Sequence, residues 1–278
     1  MPAKIPAPAT QEGRAGLAAL LAESAHAVIG LDFDGTLAPI VVDPEAARAH
    51  PAAPAALSRL APRVAGIVVI TGRPAATAVA YGGLAGVPGR LTVLGQYGRE
   101  RWDAETREVR APEPPPGVAV VRAELPRLLA RHGAPEGTSV EDKGSALAVH
   151  TRRTSDPEAA IARLRRPLAA LASRAELVLE PGRMVLELRS RGMDKGAALR
   201  GFVAERRARA VLYAGDDRGD LAAYDAVDDL REEGVWGVTV CSGSAEVRAL
   251  ADRADLVVDG PEGVVALLDA LARALDSP

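Results

Sequence analysis

The chain has 278 residues, too many for one minimal domain and enough for one large or two smaller ones. Hydrophobic residues make up 48% of it, much of that alanine, and aromatics only 3%, so aliphatic packing dominates the core. A net charge of −3 carries no basic excess, which argues against nucleic acid or an anionic membrane surface as a partner.

Residues 1–11 are rich in Pro and Ala and lack the apolar stretch of a signal peptide, so they are expected to form a short disordered lead-in. Leu and Ala at helical spacing predict a helix over 14–25, and the apolar run 27–31 a buried strand. Residues 44–61 read as helical, interrupted by Pro51 and Pro54. GIVVITGR (66–73) and LTVLGQYG (91–98) each read as a strand entering a loop. Apolar strands alternating with helices imply a parallel sheet covered on both faces.

The composition changes at 111–117 (APEPPPG), a stiff linker or hinge, since consecutive prolines fit neither a helix interior nor a central strand. Beyond it come a helix at 118–132 and strands at 138–142 and 146–151. A second helix at 156–173 has Ser155 as N-cap and Pro157 in its first turn. Strands at 175–180 and 184–189 follow, joined by Pro181-Gly182. This order predicts a small antiparallel sheet with helices on one face. The α/β alternation then resumes: helix 195–206, strand 210–215, helix 221–232, strands 237–242 and 255–260, helix 264–275. Cys241, the one cysteine, falls in an apolar strand; a buried, reduced thiol and a cytoplasmic location are expected. No apolar stretch approaches the roughly 20 residues that span a bilayer. The expected architecture is an α/β core from residues 1–111 and 191–278, with an inserted α+β cap at 112–190.

Four motifs carry chemistry. In Leu31-Asp32-Phe33-Asp34-Gly35-Thr36-Leu37, residues two apart on a strand share a face, so Asp32 and Asp34 form a carboxylate pair closing a buried strand. Such a pair costs several kcal/mol unless a cation compensates. Ile70-Thr71-Gly72-Arg73 offers a hydroxyl at a strand end that can bind a phosphoryl oxygen. Lys195 opens a helix, where it opposes the macrodipole unless it faces an anion. Asp216, Asp217 and Asp220 follow another apolar strand. Oxygen-only ligands select a hard cation, and Mg²⁺ is the natural choice.

These motifs, in this order and each at a strand end or helix start, resemble those of the haloacid dehalogenase-like (HAD) superfamily. The resemblance implies a Rossmann-like core. It makes Asp32 the nucleophile that forms an aspartyl-phosphate, and Asp34 the acid that protonates the leaving alcohol and then activates water. By the same resemblance Thr71 and Lys195 are catalytic partners, and Gly72 and Arg73 bind substrate. Asp32, the backbone carbonyl of Asp34 and Asp216 hold the metal, with Asp217 and Asp220 as indirect partners.

The segments Ser139 to Gly144, Leu147 to His150 and Gly182 to Arg189 resemble the cap of the trehalose-6-phosphate phosphatase family. This places Glu141, Lys143 and Glu187 on sugar-contacting positions, where carboxylates accept from hydroxyls and a lysine donates. Gly95-Gln96-Tyr97-Gly98 with Glu100 matches the family's third core strand. The chain departs from the pattern at Gly219 (Thr in the family), Tyr97 (His), Thr151 (Tyr) and Arg183 (Lys). The crossings at 112–116 and from Ser190 to Met193 are expected to act as a hinge for cap closure. The implied partner is a small sugar phosphate, with the protein a monomer and a trehalose-6-phosphate synthase as a further contact. Two alternatives stay open: a phosphatase or phosphomutase for another sugar phosphate, and a non-catalytic sugar-phosphate-binding module.

Overall fold

The computed structural model describes residues 5–41, 43–182, 184–192, 194–243 and 248–276. Arg183 and Met193, both named above, lie outside these. The chain divides into two compact units, one from Met1–Ala111 with Met193–Pro278, the other from Pro112–Gly192.

The first unit begins with α1 (Gln11–Ala22), β1 (Ala27–Leu31), α2 (Ala53–Leu60), β2 (Gly66–Ile70), α3 (Ala75–Gly82), β3 (Leu91–Gly95), β4 (Glu100–Asp103) and β5 (Val109–Arg110). The second unit holds α4 (Pro116–Arg131), β6 (Ser139–Asp142), β7 (Leu147–His150), α5 (Pro157–Arg174), β8 (Val178–Gly182) and β9 (Val185–Arg189). The chain returns to the first unit with α6 (Lys195–Arg206), β10 (Ala210–Gly215), α7 (Leu221–Glu232), β11 (Trp236–Gly243), α8 (Arg248–Ala251), β12 (Leu256–Asp259) and α9 (Gly260–Asp276).

The large sheet runs β12-β11-β10-β1-β2-β3-β4-β5, parallel from β12 through β3 and antiparallel at β4 and β5. Alternate residues of β1 feed two cores. Ile29 and Leu31 join Leu20 of α1, Leu57 and Leu60 of α2, and Leu268 and Leu271 of α9. Val28 joins Leu199 and Phe202 of α6, Val227 of α7 and Leu250 of α8. With both faces covered, all five residues of β1 are buried, as its continuous apolar run requires. β1 therefore ends in the middle of the sheet, and its next residues emerge at the carboxyl edge where ligands of such sheets bind.

The second unit is an antiparallel sheet in the order β6-β7-β9-β8. Leu147, Val149, Leu186 and Leu188 face Val121 and Leu125 of α4 and Leu164, Leu168 and Leu171 of α5.

Several boundaries differ from the sequence reading. Within the lead-in, Ile5 packs on the core and Ala9 N–H donates to the Asp255 carbonyl at 2.7 Å, so its described residues are held in place. The 44–61 segment is not one helix; a 3₁₀ turn at Pro44–Ala46 is separated from α2 by the irregular residues 47–50 and a turn at Pro51-Ala52. The linker ends earlier than its prolines suggest, because Pro116 occupies the first turn of α4, where no N–H is needed. Asp156, not Ser155, caps α5 by accepting from Ala159 N–H at 3.0 Å. Pro181 and Gly182 belong to β8 rather than to the connection, with Gly182 paired to Val185. The sequence reading missed α3 and the β4–β5 hairpin.

Candidate active site

Asp32 follows β1, its amide donating to the Ala214 carbonyl of the neighbouring β10 at 2.9 Å. Gly35 turns the chain at φ 83°, and a Cβ there would stand 2.0 Å from Asp216 Oδ2. Glycine is thus required twice, for the turn and for room beside the carboxylate. Ser242, buried at the end of β11, donates to the Gly35 carbonyl at 2.7 Å and fixes the same turn.

The buried Asp32, Asp216 and Asp220 present oxygens within 4.8 Å of one another. Lys195, the first residue of α6, places Nζ 2.7 Å from Asp32 Oδ1 and 2.7 Å from Asp220 Oδ1. Its helix is capped by Asp194, which accepts from Ala197 N–H at 2.8 Å. Asp220 is fully engaged. Its Oδ1 also accepts from the Tyr213 hydroxyl at 2.6 Å, and its Oδ2 from the amides of Asp216 at 3.0 Å and Asp217 at 3.2 Å. Asp220 therefore acts as the brace of the cluster, which leaves Asp32 and Asp216 to offer oxygens outward. Asp217 sits at the exposed rim and accepts from Gly219 N–H at 2.7 Å.

Charge in this cluster does not balance. Burial pushes the Asp32 carboxyl well above its ordinary value; Lys195 opposes this, while Asp220 and Asp216 add to it. Burial, together with the Asp217 and Asp220 charges, pushes Asp216 up to about 7. Burial disfavours the Lys195 ammonium, but Asp220 and Asp32 outweigh it and hold it well above the usual lysine range. One ammonium among three buried carboxylates leaves a negative surplus, and the donors are all oxygen. That set fits a hard divalent cation.

The Asp34 side chain pairs with Arg73. Its Oδ2 and Oδ1 accept from Arg73 Nε and Nη2, both at 2.7 Å, in a bidentate pair. Arg73 also lies 5.7 Å from the Phe33 ring centroid and 5.4 Å from that of Tyr81. Thr71, buried at the end of β2, accepts from Arg73 N–H at 3.1 Å through its hydroxyl. The loop after Thr71 is pinned by the turn following β3, where Gln96, Tyr97 and Gly98 have φ of 48°, 58° and 98°. A left-handed non-glycine residue costs about 1–2 kcal/mol, so the Gln96-Tyr97 pair is a locally strained device.

In the second unit Glu141 stands opposite Ala148, Ala148 opposite Glu187, and Glu187 opposite Glu180, so the three glutamates share the face turned away from α4 and α5. Lys143 Nζ donates to Glu187 Oε2 at 2.8 Å, with both side chains largely buried. Glu141 Oε2 lies 2.8 Å from His150 Nε2. Sequence reasoning missed Tyr213, Ser242 and His150 as supports of the site residues.

Comparison with known proteins bears on this arrangement. The model of the trehalose-phosphatase family matches residues 30–258. A protein of Sinorhizobium fredii, described as a probable trehalose-phosphate phosphatase, is 30% identical over 217 residues, 77% of this chain and 78% of that one. The trehalose-phosphate phosphatase of Mycobacterium avium is 31% identical over 257 residues, 90% of this chain; the match spans 63% of that protein's length. The fold is shared with the C-terminal domain of C. albicans trehalose-6-phosphate phosphatase, at a TM-score of 0.74 and 21% identity over 98% of this chain and 99% of that one. A haloacid dehalogenase-like hydrolase from Bacteroides thetaiotaomicron gives 0.58 and 16% over 90% and 98%. A match that takes in both the β1 aspartates and the Asp216–Asp220 brace, together with relatives at this identity, means that the chain belongs to the trehalose-phosphatase family.

Proposed function

We propose that the protein hydrolyses trehalose 6-phosphate to trehalose and phosphate, with Mg²⁺ bound by Asp32, Asp216 and the Asp34 carbonyl. The observation that carries this reading is the Asp32–Lys195–Asp220 constellation: a nucleophile carboxylate at a central strand end, 2.7 Å from a buried ammonium, in a cluster short of one cation. When bound, Mg²⁺ supplies positive charge to the phosphoryl oxygens as they close on Asp32.

An Asp32 oxygen attacks phosphorus as the bond to the sugar oxygen breaks, and Asp34 gives a proton to that departing oxygen. Water, losing a proton to Asp34, then attacks phosphorus, and the bond to Asp32 breaks to release phosphate. Lys195 orients Asp32 and faces the phosphoryl charge, while the Thr71 hydroxyl and the Gly72 backbone receive a phosphoryl oxygen. Arg73 holds both Asp34 oxygens in the resting protein. A phosphoryl group offers Arg73 a second bidentate partner, and the exchange frees Asp34 to take up from solvent the proton it then gives to the departing oxygen and regains from water. Glu141, Lys143 and Glu187 read the sugar hydroxyls. Lys143 and Glu187 satisfy each other until a sugar offers new partners. We extend this reading to a cytoplasmic monomer supplied by a synthase. It rests on the family and on the buried thiol of Cys241, which burial pushes up to about 11.

The test is Mg²⁺-dependent phosphate release across a panel of sugar phosphates. We expect kcat/KM to be highest for trehalose 6-phosphate; a clear preference for another ester would overturn the substrate reading while leaving the phosphatase reading intact.

A further inference from the structure

The turn Gln96-Tyr97-Gly98 is unused by the reaction as written above, yet it is wedged between two elements of the site. Its amides hold the loop after β2: Gln96 N–H donates to the Arg73 carbonyl and Tyr97 N–H to the Thr71 carbonyl, both at 2.9 Å. Glu100 ties the same pieces together, accepting from Ala75 N–H at 2.6 Å and from Gln96 Nε2 at 2.6 Å. On its other side the turn abuts α6. A Cβ on Gly98 would stand 3.0 Å from the Cβ of Ala198, one helical turn beyond Lys195.

Left-handed backbone is unremarkable at Gly98 but not at Gln96 or Tyr97. Such conformations persist where the surroundings over-determine them, and they gather at functional sites. The hydrogen bonds above supply that over-determination. The result is the position of the Tyr97 ring. A Cβ on Gly72 would fall 2.7 Å from the Tyr97 hydroxyl oxygen and 2.9 Å from Cζ. The hydroxyl therefore occupies the space where a side chain at Gly72 would be. A phenylalanine would cover Gly72 equally well, and a glycine or asparagine would adopt the backbone with less strain. What tyrosine adds is a hydroxyl donor at the phosphoryl loop, on a half-buried side chain.

We propose that Tyr97 is a further residue of the reaction site, its hydroxyl donating to a phosphoryl oxygen of the phosphate-ester substrate. The proposal rests on the phosphatase reading but not on the identity of the sugar. It names a donor on β3's turn, outside the four motifs, that acts alongside Thr71 and Lys195.

The experiment compares Tyr97→Phe, Tyr97→His and Tyr97→Asn in the full-length, Mg²⁺-loaded protein. Readouts are kcat and KM on trehalose 6-phosphate and p-nitrophenyl phosphate, and the melting-temperature shift caused by inorganic phosphate. Tyr97→Phe should lose about tenfold in kcat/KM on both esters, as expected for one hydrogen bond to a charged group. Its phosphate-induced shift should shrink, with the ligand-free melting temperature unchanged. Tyr97→His keeps a ring donor and tolerates left-handed backbone, so it should recover part of the loss. Tyr97→Asn should melt no lower than wild type yet stay impaired. Wild-type kinetics and phosphate shift in Tyr97→Phe would overturn the proposal. So would a loss that merely follows the melting temperature, or one confined to trehalose 6-phosphate. If wild type hydrolyses only the artificial ester, the sugar assignment fails, and Tyr97 is judged on that ester.

Discussion

The candidate site residues of the two units carry charge in opposite ways. On the sheet of the second unit Lys143 pairs with Glu187, Arg122 with both oxygens of Asp142 at 2.6 and 3.0 Å, and His150 hydrogen-bonds Glu141. In the first, a single ammonium is shared by Asp32 and Asp220 while Asp216 stands beside them, raised to about 7. A paired face is stable as it is and gains a ligand by exchanging partners. A buried surplus of one sign is relieved by bound protons or by a cation. The comparison thus separates a surface whose polar groups already have partners from a buried acidic cluster that could bind a cation.

The sharpest way to break this contrast is Asp32→Asn. The change removes the nucleophile and one of the crowded charges together. Turnover should fall by roughly 10⁴-fold or more, and the melting temperature of the metal-free protein should hold or rise. A purified variant with appreciable phosphatase activity would end the covalent mechanism.

Chelation comes next. EDTA should abolish activity and lower the melting temperature, and Mg²⁺ should restore both. Saturation at 100 times its dissociation constant is worth about 2.7 kcal/mol. Full activity and an unchanged melting curve after EDTA would show that the surplus needs no cation.

On the paired side, Glu187→Ala removes a partner of the Lys143 ammonium and, on the proposed reading, a sugar acceptor; Lys143→Ala removes the corresponding donor. Each should cost about 1.5–3 kcal/mol, about 10- to 100-fold in kcat/KM on trehalose 6-phosphate. p-Nitrophenyl phosphate, which has no sugar to read, should be spared. Equal losses on both esters would assign the pair to folding alone.

The smallest effect is a pH dependence. A carboxyl whose folded value is raised, as at Asp216, takes up a proton on folding, so its penalty grows as pH climbs from its unfolded value toward about 7. A cation must displace that proton at low pH and meets a bare carboxylate above pH 7. The melting-temperature gain from Mg²⁺ should therefore be larger at pH 8 than at pH 5.5, and Asp216→Asn should flatten the difference. Equal gains at both pH values in the wild type would contradict the raised Asp216.

Much of this was legible in the chain because the signals are local. β1, β2 and β10 are apolar runs, and Asp32, Thr71 and Asp216 each sit where such a run ends, while Lys195 opens α6. The β4–β5 hairpin was not legible: ERWD and VR are short and charged, as edge strands are. Nor was α3, whose AATAVAYG has too few large apolar residues to show a helical period. The supports of the site escaped for another reason. Tyr213 and Ser242 lie within buried strands and look like core; only pairing across the sheet shows that one braces Asp220 and the other fixes Gly35. Arg73 was assigned to substrate from its motif, and nothing in its spacing announces the pair with Asp34.

The division of the first unit between the two ends of the chain sets the order in which the protein is completed during synthesis. β1 pairs with β2 on one side and with β10 on the other, residues Ala27–Leu31 against Ala210–Ala214. The whole of Pro112–Gly192 is translated between them, as one continuous segment with an apolar cluster of its own. At about 5–20 residues per second, the strand that leads into Asp32 waits on the order of ten seconds or more with one apolar edge unpaired. The later segment closes that edge and also brings Lys195, Asp216 and Asp220. A nascent chain therefore keeps an apolar strand edge open for as long as it lacks the later carboxylates and Lys195, and both conditions end with the same stretch of translation.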